Sequence, residues 1–206
     1  DGRYARAENL LSKAAKQKDV KTIALATAHD AALKLDEPAR AAVHYAELVQ
    51  HDPVAAHIHS AKMAVSNKNY IAALELLDPL HKERKLPPQA EFYYLQCLQS
   101  NQRALEALPM LQALRKEQAL PSSMLHEFEL QLHTSAIEQC ADAESLLQLW
   151  QHISERLRGE KVILTPFCQR ADALGLETTA VQVLSDALNQ DWQAELLGNL
   201  AAIVIA

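Results

Sequence analysis

Residues 67–80 read Asn67-Lys68-Asn69-Tyr70-Ile71-Ala72-Ala73-Leu74-Glu75-Leu76-Leu77-Asp78-Pro79-Leu80. A polar turn cluster opens the stretch, and a run dense in helix formers follows. Within the run, Ala73, Leu77 and Leu80 stand at i, i+4 and i+7, so all three share one helical face. The smallest of them leads, and a small side chain lets a neighbouring helix approach closely at that level. The same arrangement recurs as Ala7/Leu11/Ala14, Ala41/Tyr45/Leu48, Ala104/Leu108/Leu111, Ala143/Leu147/Trp150 and Ala180/Leu184/Ala187. Successive leading alanines lie 34, 32, 31, 39 and 37 residues apart. Each interval holds one more helix and two turns, the sequence signature of stacked helix pairs.

Turn residues fall in phase with this period. Asp1-Gly2-Arg3-Tyr4 precedes Ala7, and Leu174-Gly175-Leu176-Glu177 precedes Ala180. Asp52-Pro53, Leu86-Pro87-Pro88 and Leu120-Pro121 separate other elements. Proline stops a preceding helix and suits the first turn of the next. The pattern predicts twelve helices, over 3–17, 21–35, 38–51, 54–67, 69–85, 88–101, 103–118, 122–140, 142–157, 161–174, 177–190 and 193–205. Pro79 and Pro109 fall inside two of them, where a missing hydrogen bond is expected to kink or break the helix.

Composition agrees with helix. Apolar residues make up 49% of the 206, yet there are only four glycines and 5% aromatics. Alanine and leucine carry the apolar content, and both enter helices at little cost. The net charge of -6 repels phosphate backbones, which argues against nucleic acid. Cys97, Cys140 and Cys168 form no CxxC pair and no metal-type spacing, and read as reduced, partly buried thiols. No apolar run reaches the length of a membrane span. The chain starts without Met and in mid-pattern, which reads as a soluble portion of a longer protein. The run Leu196 to Ala206 is expected to be a helix docked against residues 177–190; its apolar part Leu200–Ala206 is expected to be covered by further chain or to meet another copy or a partner.

Tyr70-x-x-Ala73 and Tyr45…Pro53 resemble the tetratricopeptide repeat, whose second helix carries an alanine, an aromatic four residues on, and a closing proline. The first helices lack that family's Trp and usually its Gly, and Ala61 stands at the small position. The resemblance implies an all-α fold: a right-handed superhelical array of antiparallel helix pairs, about twelve helices in one domain over 1–206. A narrower resemblance rests on Leu108-Pro109-x-Leu111-x-x-Leu114-Arg115-Lys116, on Ser145-Leu146-x-x-Leu149-Trp150, and on Ala180-x3-Leu184-x2-Ala187-Leu188-x3-Trp192-x3-Leu196. These segments look like the HemY family of Gram-negative bacteria, although Leu197-Gly198-Asn199 replaces that family's frequent Tyr-Gly. This resemblance implies an inner-membrane tether outside the present chain and an association with late haem biosynthesis.

In tetratricopeptide units, positions 2, 5, 9 and 12 of the first helix line a concave groove. Counting back from Ala41 and Ala73 gives Ile23, Ala26, Asp30 and Leu33, then Ala55, Ile58, Lys62 and Val65. The mixed lining suits a peptide or helix more than a small metabolite. The expected function is therefore a non-enzymatic scaffold for proteins. By family resemblance its partners are haem-biosynthesis enzymes at the cytoplasmic face of the inner membrane. The competing expectations are a haem or porphyrin carrier and an adaptor of another envelope assembly.

Catalytic motifs are missing from the sequence. Four glycines build no phosphate loop, dinucleotide fingerprint or nucleophile elbow. His126-Glu127 opens like a zinc-protease motif, but position 130 is Leu, and no metal site is expected there, although His126 and His133 share a face near Glu129. Histidines concentrate between His29 and His59, with His44, His51 and His57 between them. Given the resemblance to the HemY family, and because imidazole is the usual axial ligand of haem, His29 and His59 are the haem candidates. His57 and His59 cannot point the same way on a helix, and no CxxCH is present. Trp150 and Trp192 read as packing residues. Lys82-Glu83-Arg84-Lys85 and Arg115-Lys116 read as charges complementing helix C-termini.

Overall fold

The computed structural model describes residues 2–116, 121–190 and 198. Regular structure among the described residues is entirely helical. The α-helices are α1 (Gly2–Ala14), α2 (Lys21–Lys34), α3 (Pro38–His51), α4 (Pro53–Ser66), α5 (Tyr70–Lys82), α6 (Pro88–Ser100), α7 (Ala104–Lys116), α8 (Ser122–Gln139), α9 (Ala143–His152), α10 (Glu155–Arg158), α11 (Lys161–Ala173) and α12 (Glu177–Gln190). One 3-10 turn, Lys18–Val20, precedes α2. The chain divides into two compact units, Asp1–Cys97 and Leu98–Ala206. In the first, α1 packs on α2, α2 on α3, α3 on α4 and α4 on α5. In the second, α7 packs on α8, α8 on α11 and α11 on α12. Helices thus pair largely with sequence neighbours, as an all-α repeat requires.

Local chemistry sets the helix ends. Pro38, Pro53 and Pro88 each occupy a first helical position, where the missing N–H costs nothing. The Asp52 carboxylate accepts from the Ala55 N–H at 3.0 Å, and the Asn69 side chain accepts from the Ala72 N–H at 3.3 Å. At the other end, one device recurs five times. Asp36, Lys68, Arg84, Gln102 and Gly175 all adopt a positive φ just past a helix. In each case the next residue's N–H reaches back five residues: Glu37 to Ala32, Asn69 to Ala64, Lys85 to Leu80, Arg103 to Leu98 and Leu176 to Ala171. This is the left-handed helix stop usually built on glycine. Four of the five use a side-chain-bearing residue at a cost of about 1 kcal/mol each. The small glycine count therefore conceals the turns rather than excluding them.

The buried registers refine the sequence pattern. Ala41, Ala73, Ala104 and Ala180 are fully buried as expected, whereas Ala7 and Ala143 are only half-buried. α1 is the first helix of its unit and packs on α2, which leaves much of its surface open. Ala143 opens α9 at its first turn, ahead of the packed stretch. In α7 the packed face takes in Ala107 and Leu114 beside Ala104 and Leu111, with Leu108 half-buried, and in α9 it moves to Leu146 and Leu149 and continues at Ile153 just past the helix. Ala41, Ala73, Ala107, Leu146 and Ala180 are then equivalent, each the fourth residue of its helix. From 73 to 107 and from 146 to 180 the interval is 34 residues. The longer step from 107 to 146 accommodates α8, which runs over 18 residues.

The predicted helix 142–157 is instead two helices. Ile153 and Ser154 turn extended, and both Ile153 and Leu157 are then buried. The carbonyls left open at the end of α9 are taken by Arg158, whose guanidinium donates to Ile153 at 2.8 Å and Gln151 at 3.0 Å. A cation at a helix C-terminus also favours the dipole. Prolines do not break their helices. α5 is continuous through Pro79, α7 through Pro109 and α11 through Pro166. The carbonyls that Pro79 and Pro109 leave without an N–H belong to Glu75 and Leu105, both exposed residues where water can serve. Pro166 leaves that of Val162, which accepts from the Thr134 hydroxyl of α8 at 3.1 Å. The predicted helix 193–205, with Trp192 beside it and the apolar run Leu200–Ala206, lies outside the described residues except at position 198.

The shifted register makes a discriminating expectation. Ala107→Glu forces a charged side chain into a fully buried helix contact and should cost about 3–5 kcal/mol through overpacking and desolvation. Ala143→Glu, half-buried at a helix N-terminus, should change stability by less than about 1 kcal/mol. Urea unfolding of the two variants beside the parent measures both.

Candidate functional site

Each of the groove residues derived from the repeat count keeps some solvent exposure. On α2, Ile23 is 71% exposed, Leu33 is exposed, and Ala26 and Asp30 are half-buried. On α4, Lys62 is exposed while Ala55, Ile58 and Val65 are half-buried. The residues that alternate with them are buried: Ala24, Leu25, Ala28, Ala31 and Ala32 on α2, and Ala56, His59 and Ala61 on α4. Alanine dominates that inner face, so α2 sits close against its neighbours and turns its larger side chains outward. α2 and α4 also touch each other directly.

At this contact three chemically active side chains meet. His29 Nδ1 and His59 Nε2 are 2.9 Å apart, a hydrogen bond between imidazoles. The Asp30 carboxylate Oδ1 lies 3.3 Å from His59 Nε2 and 3.8 Å from His29 Nδ1. The imidazoles are well shielded, with side-chain exposures of 12% for His29 and 6% for His59, while Asp30 is 40% open. Burial lowers the pKa of both histidines, partly offset by Asp30, which favours the neutral imidazoles. Tyr45 tilts its ring against His29 at 5.5 Å and accepts from the Ser60 hydroxyl at 2.8 Å, which fixes the wall behind the pair. His57 is exposed, as its two-residue offset from His59 requires. A haem held between two axial imidazoles needs the porphyrin plane between them. Rings hydrogen-bonded to each other leave no such gap, so the two imidazoles as placed do not flank one porphyrin.

A second polar cluster ties α1 to α3. Glu8, almost fully buried, contacts His44 at 3.1 Å and Arg40 at 3.3 Å. Sequence spacing concealed it, because nothing marks Glu8 as an inward residue until α3 lies alongside.

The second unit holds a cleft of about 810 Å³ between α7, α8, α9 and α10. Its lining is part apolar, with Leu105, Leu108, Leu111, Leu149 and Leu157, and part polar, with Arg115, Lys116, Glu129, His133 and His152. Glu129 is buried against Arg115, whose Nη2 donates to it at 2.5 Å, and His126 stands 3.9 Å away. Arg115 and Lys116 do end α7, as a helix-dipole role requires, but Arg115 also neutralises this carboxylate. His133 is buried with its Nδ1 unpartnered, and burial lowers its pKa, with Glu129 opposing and Arg115 reinforcing the shift. The cysteines lie in the packed interior. Burial pushes the Cys97 thiol up to about 11 and the Cys168 thiol to about 12, and raises that of Cys140, which suppresses thiolate chemistry. Trp150 stacks on Phe167 at 3.8 Å between centroids, the packing role expected of it. Comparison with family models, curated proteins and solved structures finds no match to this chain.

The buried His133 makes a pH-dependent expectation. Its native pKa lies below the ordinary 6.5, so the unfolded chain binds a proton that the native state resists. Stability should be full above about pH 6.5 and decline as pH falls below it. In His133→Leu the fall in urea midpoint between pH 7.5 and 5.5 should be smaller than in the parent. An equal fall in both would assign the effect to other histidines.

Proposed function

We propose that this chain is a non-enzymatic scaffold that holds partner proteins, with the outward face of α2 and α4 as the binding surface. One observation carries the proposal: all eight positions counted as groove-lining retain solvent access, and none of them is among the residues that α2 and α4 bury, Ala24, Leu25, Ala28, Ala31 and Ala32 on the one and Ala56, His59 and Ala61 on the other. Ile23, Leu33, Ile58 and Val65 offer apolar anchors spaced along two adjacent helices. Asp30 and Lys62 supply opposite charges among them. An amphipathic helix or short peptide meets such a surface with apolar anchors and a complementary charge pair.

The resemblance to the HemY family supports a more specific version. Its partners would be late haem-biosynthesis enzymes, gathered at the cytoplasmic face of the inner membrane by a tether outside this chain. None of the described helices is long and apolar enough to cross a membrane.

The test compares captured proteins. The chain, Ile23→Asp/Leu33→Asp and the control Ile71→Asp are immobilised and exposed to bacterial membrane extract, and the eluates are quantified by mass spectrometry. Ile71 is a comparably exposed apolar residue on α5. Partners retained by the parent and the control should fall about tenfold or more with the double variant, as expected when central apolar anchors become charged. Equal recovery on all three baits, with unchanged circular dichroism, would remove α2 and α4 as the binding face. Haem-biosynthesis enzymes among the specific partners would support the family-level version.

A further inference from the structure

The three donor atoms at the α2–α4 contact form a triangle with sides of 2.9, 3.3 and 3.8 Å. The circle through three points so separated has a radius of about 2.0 Å. An ion placed just off their plane is therefore about 2.0–2.1 Å from all three, the length of zinc–imidazole and zinc–carboxylate bonds. A tetrahedral ion sits about a third of a bond length outside the plane of any three of its ligands, which small adjustments of this triangle permit. We propose that His29, Asp30 and His59 form a binding site for a divalent transition-metal ion of the zinc class, with one coordination position open to solvent.

The chemistry of the donors fits that ion better than its competitors. Two imidazole nitrogens and one carboxylate suit zinc and its neighbours, whereas calcium and magnesium prefer all-oxygen sets. The donors come from different helices, two from α2 and one from α4, so the ion would clip successive helix pairs together. The imidazoles are shielded and their orientation is braced, with Tyr45 packed against His29. Asp30 is the open member, so solvent reaches the ion from its side. A water, or a carboxylate or imidazole from a bound molecule, would fill the fourth position. A set of two imidazoles and one carboxylate with an open position is built for such exchange, unlike the closed four-ligand sites of purely structural zinc.

This inference does not depend on the scaffold reading, and its test uses no partner. The untagged, metal-free chain is titrated with zinc against a chromophoric chelator at pH 7.5, and in parallel with cobalt followed by visible absorption. One equivalent should bind. Cobalt should give the intense visible band of a four- or five-coordinate ion, without thiolate charge transfer. Asp30→Asn and His29→Gln should each weaken zinc binding by about tenfold or more, the loss typical even of residues that support ligands. His57→Gln, on the exposed side of α4, should leave it unchanged. Circular dichroism checks that the variants fold, and zinc should raise the melting temperature of the parent but not of Asp30→Asn. Absence of stoichiometric binding would overturn the proposal. So would binding that survives both ligand substitutions, or a cobalt–thiolate band, since either would put the ion elsewhere.

Discussion

Close approach of helices at a small side chain is the constraint on which this structure rests. Ala41, Ala73, Ala107 and Ala180 each sit at the fourth position of a helix and are completely or almost completely buried. A methyl group there sets the separation between a helix and its neighbour, and the large side chains four and seven residues on then fill the space around it. The same economy governs α2, whose inner face is almost all alanine. Each larger side chain excluded from that face must point outward, which is how Ile23 and Leu33 come to be exposed. Packing and the exposed apolar side chains of α2 are thus two consequences of one choice of residue.

Much of this was legible in the chain, and the places where it was not are physically specific. Helix type followed from alanine and leucine at helical spacing, and the starts at Pro38, Pro53 and Pro88 from the special tolerance of a first turn for proline. In α7 the alanines at 104 and 107 both fit the pattern, and only the packed partners decide that Ala107, Leu111 and Leu114 share the core face. The split at Ile153 had no turn residue to announce it. It depends on Arg158 reaching back to the carbonyls of α9, a contact between positions that helical spacing would not bring together. The left-handed stops at Asp36, Arg84 and Gln102 were equally silent, because the expected glycine is absent.

The sites follow the same division. The outward face of α2 and α4 could be counted from the repeat, residue by residue, because a surface position on a helix needs only the correct phase. The histidine cluster could not. His29 and His59 were conspicuous in composition, but His59 joins His29 and its neighbour Asp30 only through the lateral register of α2 and α4. Likewise His126, Glu129 and His133 read as a single helical stripe. In the structure Glu129 is claimed by Arg115 from α7, and His133 is turned into the cleft wall with a nitrogen unsatisfied.

The central claim is that one helical phase decides which side chains of α2 and α4 are packed and which are presented. Thiol labelling of single-cysteine substitutions tests it directly, because the three native cysteines are buried and should stay silent under native conditions. Ile23→Cys and Lys62→Cys should react with a water-soluble maleimide at about the rate of an unprotected thiol. Ala24→Cys and Ala61→Cys, one residue away on the same helices, should react only as the protein unfolds, slowed by orders of magnitude. Comparable rates at Ala24→Cys and Ile23→Cys in a folded protein would contradict the phase, and with it the surface on which the functional account stands.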